Sequence, residues 1–140
     1  SQFCNELLKN FTIENLKNYL NVISPQRIID DIQAFVNDVQ QELDIQLNSN
    51  LTCCLYIHLA CMVERILLHE EINRFEALDT IINHNQDFFK KIKKSFKRIE
   101  KTYNIQIPDS EIAYLHEYIY SRYEGSKEIN DDILSDLFNK

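Results

Sequence analysis

Along most of this chain apolar residues recur every three or four positions, and each such run predicts a helix. Between Phe3 and Ile23 the spacing of Leu8, Phe11, Leu16 and Tyr19/Leu20 predicts one or two short lead-in helices. The pattern sharpens at Ser24-Pro25, because serine is a good N-cap and proline is tolerated at the first helical position, where no amide bond is lost. From there Ile28, Ile32, Phe35/Val36, Val39 and Leu43 share one side, with Asp30, Asp31, Asp38 and Glu42 outside. This is the pattern of a surface helix with one buried stripe.

Asn48-Ser49-Asn50 interrupts the pattern and caps a helix running from about Leu51 to Glu70. From Leu51 to Val63 almost every residue is apolar, and Glu64, Arg65 and His69 follow. Such a run is too short and too charged for a membrane span and predicts a central core helix. A shorter helical piece is expected over Phe75 to Ile82. Asn83 or Asn85 then starts a helix over about Gln86 to Tyr103, with Phe88/Phe89, Ile92, Phe96, Ile99 and Tyr103 on one side. Pro108-Asp109-Ser110-Glu111 opens the last main helix with acids near its positive end, and Gly125 is placed to close it as a left-handed cap. Asp131 to Phe138 predicts one more short helix.

Together these elements predict an all-α, compact bundle of about five main helices. Residues 1–24 form a helical lead-in or linker, 25–125 the bundle, and 126–140 a tail. Composition agrees, since one glycine and two prolines among 140 residues are far fewer than hairpin-rich folds spend on turns. That length suits one domain with a single core. The sole methionine is Met62, so Ser1 is not an unprocessed start, and the chain reads as a fragment of something longer.

The net charge of −7 repels DNA and anionic membranes, so no direct nucleic-acid or membrane contact is expected of this domain. One segment departs from that balance. Residues 83–103 hold seven basic and two acidic side chains, a net +5, leaving −12 for the rest. Lys90, Lys91, Lys93, Lys94, Lys97, Arg98 and Lys101 form this basic face, which is either simply solvated or docks an acidic partner. No secretory leader pattern is present, and Cys53, Cys54 and Cys61 lie too close along one helix to bridge, so free thiols in a cytoplasmic setting are expected.

The candidate chemistry lies on the central helix. At about 100° per residue, Leu51, Leu55, His58, Met62, Arg65 and His69 fall near one line. A histidine and an arginine in an apolar stripe require explanation, because an arginine is costly to bury without an anionic partner. In the structural account Arg65 pairs with an acid from a neighbouring helix and His58 is a satisfied core histidine in a helical dimerisation domain. Cys54, His58 and Cys61 follow i, i+4, i+7 spacing and offer three zinc ligands without a fourth. His69-Glu70-Glu71-Ile72-Asn73 misses the zinc-protease motif, whose second histidine is Asn73 here. No metal, cofactor or catalytic turnover is therefore assigned.

The stretch Leu55-Tyr-Ile-His58-Leu-Ala-Cys-Met-Val-Glu-Arg65 resembles the signature of PTS regulation domains, in which an arginine follows a histidine by seven positions. Ile107-Pro-Asp-Ser-Glu111-Ile-Ala-Tyr-Leu115 resembles the opening of that family's last helix. The resemblance covers roughly Pro25 to Tyr123 and implies a five-helix bundle from a bacterial sugar-operon regulator. It further implies phosphorylation of His58 by HPr or an EIIB component, Arg65 as electrostatic partner, and a homodimer working with other domains of the parent regulator. Where the family often carries a second histidine, this chain has Tyr118. His116 lies two residues away, about 200° around a helix, and does not simply substitute. His69, His116 and Tyr118 remain as secondary site residues. The single histidine and its flanking sequence look most like the C-terminal regulation domain of levanase-operon-type sigma-54-dependent activators, where phosphorylation is expected to lower activity. A histidine phosphotransfer bundle is a poorer match, since its usual lysine three residues on is Cys61.

Overall fold

A computed structural model describes residues 2–70 and 77–122, with side chains from residue 6 onward. Within those residues the chain is all α. The helices are α1 (Gln2–Leu16), α2 (Pro25–Leu43), α3 (Ser49–Leu67), α4 (Leu78–His84), α5 (Gln86–Tyr103) and α6 (109–122). The bundle predicted from periodicity is the one observed. Helix α2 buries Ile28, Ile29, Ile32, Phe35, Val36 and Val39 and packs on α3 and α5. Phe35 stacks on Phe96 of α5 with ring centroids 4.1 Å apart, which locks the two amphipathic faces together.

Helix α3 lies at the centre and is buried on most sides, from Leu51 to Ile66. Contrary to the expectation from its sequence, its 19 residues are long and apolar enough to cross a membrane by length and composition alone. Its place in a core follows from the surrounding helices, which cover most of it.

Helix α1 is one continuous element packed on α3 and α2. Its inward line is Leu8, Thr12 and Leu16, with Thr12 and Leu16 fully buried. Phe11 and Tyr19, expected on that stripe, are 60% and 58% exposed. Phe11 lies about 100° off the Leu8–Leu16 line, and Tyr19 follows the helix end. Thr12 tolerates burial because its hydroxyl donates to the Leu8 carbonyl at 2.8 Å.

The caps explain several boundaries. Asn48 accepts from the Leu51 amide at 2.8 Å and starts α3 as predicted. Ser24 holds the N-cap position of α2, but its hydroxyl donates to Gln26 instead. Asn85 stands before α5, yet its side chain donates back to Ile81. The short helix begins at Leu78, and residues 75 and 76 of the predicted piece lie outside the described residues. The Gly125 cap and the helix expected over 131–138 also lie outside them.

Helices α2, α3 and α5 each end on a non-glycine residue in the left-handed region, Asp44, His69 and Asn104, with φ of 51°, 59° and 52°. In each case the next amide reaches back to close the last turn: Ile45 to Gln40, Glu70 to Arg65 and Ile105 to Glu100. Asparagine tolerates this conformation and a β-branched residue does not. Asn104→Val is accordingly expected to lose about 1–2 kcal/mol of folding stability, whereas Asn104→Gly holds or gains. Urea midpoints of the two variants test this.

Candidate functional site

Two helical stripes meet to build the site. On α3 the line through His58, Met62 and Arg65 faces α6, and on α6 the line is Glu111, Tyr114, Tyr118 and Arg122, at i, i+3, i+7 and i+11. Arg65 meets Glu111 at one end, while His58 meets Tyr114 and Tyr118 further along, so the helices run antiparallel.

The Arg65–Glu111 contact is bidentate. Nη1 donates to Oε1 and Nη2 donates to Oε2 at 3.3 Å. The side chain of Glu111 is 2% exposed and that of Arg65 31%. A carboxylate this deep requires a cation, and the planar guanidinium satisfies both of its oxygens at once. Sequence reading required an acid for Arg65 but could not say which. Glu111 was visible only as a helix-opening residue.

His58 is half-buried. Its ring stacks on Tyr118 with centroids 4.6 Å apart and an interplanar angle of 22°, and lies 5.3 Å from the ring of Tyr114. Burial pushes the imidazole pKa below its ordinary 6.5, the positive charges of Arg122 and Arg65 push it further, and Glu111 opposes them. The ring is therefore neutral at neutral pH, with a free lone pair on one nitrogen. Burial raises the Tyr118 phenol, with Cys54 adding to the shift and Arg122 opposing it, so that group keeps its proton.

Of the other candidate residues, Tyr118 is brought to His58, whereas His116 and His69 are not placed against that ring. His116 packs edge-on against Phe88 at 4.7 Å, tilts on Tyr120 at 4.8 Å, and sets Nδ1 3.1 Å from Glu117. Exposed His69 forms the left-handed end of α3. Among the described residues no group of three or more His, Cys, Asp or Glu is arranged to hold a metal ion, so Cys54, His58 and Cys61 do not converge. Cys53, Cys54 and Cys61 are free thiols.

Sequence reasoning missed Glu64, which sits beside Arg65 but, about 100° around the helix, serves a different side of α3. Its buried carboxylate accepts from three successive amides, Asn21 at 2.9 Å, Val22, and Ile23 at 3.0 Å. Its one visible signal was an acid at the end of an apolar run. Burial alone would raise the Glu64 pKa, but the three amides outweigh it and hold the group below its usual 4.5. A carboxyl with a depressed folded-state value stabilises the fold above its unfolded pKa and loses that contribution as pH falls through the folded value. Glu64→Gln should therefore cost about 2 kcal/mol at neutral pH and flatten the acid side of the stability profile. Urea midpoints at several pH values measure both effects.

On α5, Lys91 pairs with Asp87, Lys93 with Asp109 and Arg98 with Asp31. Lys90, Lys94, Lys97 and Lys101 stand exposed on the outer side of the helix.

The PRD domain family model matches residues 33–122. The chain belongs to the PRD domain family. Over 110 residues it is 33% identical to "Transcriptional regulatory protein DagR" of Salmonella typhimurium (strain 14028s / SGSC 2262), an alignment that covers 79% of this chain and 12% of that protein. The chain thus spans a small part of that relative's length. No solved structure matches it. His58, Arg65, Glu111, Tyr118 and Arg122 all lie inside the matched PRD, whereas α1 and the Asn21–Ile23 amides held by Glu64 precede it.

Proposed function

We propose that this PRD is the regulatory phosphoacceptor domain of a bacterial sugar-operon transcription regulator, taking a phosphoryl group on His58 from HPr or an EIIB component. The supporting observation is a neutral, half-buried imidazole at the α3–α6 seam, with cationic side chains acting on it. Its lone pair attacks phosphorus, the bond from phosphorus to the donor atom breaks, and the donor leaves with that electron pair. The acceptor gains a group of about −1.5 to −2 charge where the free ring had none. That charge appears near Arg65, its electrostatic partner in this reading, whose pair with Glu111 ties α3 to α6, and so bears on how those helices pack.

In this reading the domain has no turnover of its own. It acts in the cytoplasm on other domains of its parent, as a homodimer of the sigma-54-dependent activator type. The relative named as a transcriptional regulatory protein supports the regulatory setting. A plain helical interaction domain would also use Arg65–Glu111 as a structural pair, and phosphotransfer separates the two. Purified protein incubated with phosphorylated HPr or EIIB should gain one acid-labile phosphoryl group by intact mass, and fragmentation should locate it on His58. Transfer from neither donor, or a label on another residue, overturns the proposal.

A further inference from the structure

Arg65 is poorly placed to receive a phosphoryl group. Two of its donors are committed to Glu111, whose side chain is 2% exposed, and drawing the guanidinium away would strand a buried carboxylate. Arg122 has no such commitment. It is exposed, no ion pair engages it among the described residues, and its guanidinium carbon lies 4.0 Å from the centroid of the Tyr118 ring. That same ring stacks on His58 at 4.6 Å. The guanidinium carbon is thus no further from the imidazole centre than the sum of those two distances. Its charge is already felt there, second only to burial among the causes that lower the His58 pKa.

We propose that His58, Tyr118 and Arg122 form an oxyanion-binding site in which the Arg122 guanidinium, steadied on the Tyr118 ring, holds the oxygens of a phosphate at His58. A guanidinium lying on an aromatic ring keeps its N–H edge free, and that edge matches two phosphate oxygens as a fork. Reorienting an exposed arginine that no ion pair engages among the described residues strands no buried charge there. Tyr118 thus becomes a platform for the cation as well as a neighbour of the histidine. The inference deepens the phosphoacceptor reading and rests on it for the arrival of the phosphoryl group, but not for the site itself.

The test uses the full chain, isotopically labelled, with inorganic phosphate added against chloride at matched ionic strength. The His58 imidazole resonances should shift and saturate with phosphate and not with chloride. Arg122→Gln should weaken that binding about tenfold, a loss of about 1.4 kcal/mol, while resonances away from the α3–α6 seam stay in place. Arg122→Lys, which keeps the charge without the fork, should fall between. No saturable shift in the unmodified protein, or equal phosphate affinity in Arg122→Gln, overturns the inference. If neither HPr nor EIIB phosphorylates the protein while Arg122-dependent phosphate binding persists, the phosphoacceptor reading fails and the site stands. Transfer to His58 with phosphate binding indifferent to Arg122 gives the opposite result.

Discussion

His58→Ala is expected to accept no phosphoryl group from HPr or EIIB while remaining folded. The imidazole lone pair is the nucleophile, and nothing beside it replaces it. Tyr118 keeps its phenolic proton because burial raises its pKa. His116 is engaged by Phe88, Tyr120 and Glu117, and His69 closes the far end of α3. Folding should survive because the ring is only half-buried, and the aromatic contacts it gives up are worth about 1 kcal/mol. Intact mass after incubation with each donor reads the first effect, and a urea melt reads the second. A variant that folds and still gains a phosphoryl group would move the acceptor role to another residue.

Arg65→Ala is expected to cost about 3–5 kcal/mol of folding stability, a large share of what a domain this size possesses. The loss arises less from the missing attraction than from the carboxylate left behind, since Glu111 is nearly sealed from water. Glu111→Leu should cost clearly less, because the stranded arginine has a long stem and is already partly exposed, so its head reaches solvent. The double variant Arg65→Ala/Glu111→Leu removes both charges and should recover much of the loss. Urea denaturation of the three variants forms the cycle. Additive losses, with no recovery in the double variant, would show that the pair is not what holds α3 to α6.

Which parts of this arrangement were legible in the sequence follows from how far apart the interacting residues lie. Helices α2 and α5 advertise themselves because their buried stripes, Ile28 to Val39 and Phe88 to Ile99, repeat at helical spacing within a few turns. The shared line of His58 and Arg65 follows from the same arithmetic. Helix α3 was harder, since an element buried on most sides loses the contrast between faces and resembles a membrane span. Phe11 went to the wrong side because a polar residue, Thr12, occupies the inward position and satisfies its hydroxyl on the preceding turn. The contacts that define the site were illegible for a different reason. Arg65 finds Glu111 across 46 positions and Glu64 finds Asn21 across 43, and no local pattern encodes such pairings.

Glu64 and Arg65 are consecutive, yet one grips the strand of chain entering α2 and the other grips the last described helix. A fractional turn or slide of α3 at that point would strain one grip or the other. The register of the central helix is thus pinned from two sides by neighbouring residues of opposite charge. The segment leading into α2 and the last described helix are moored to a single turn, so a force applied at either is delivered to the same place.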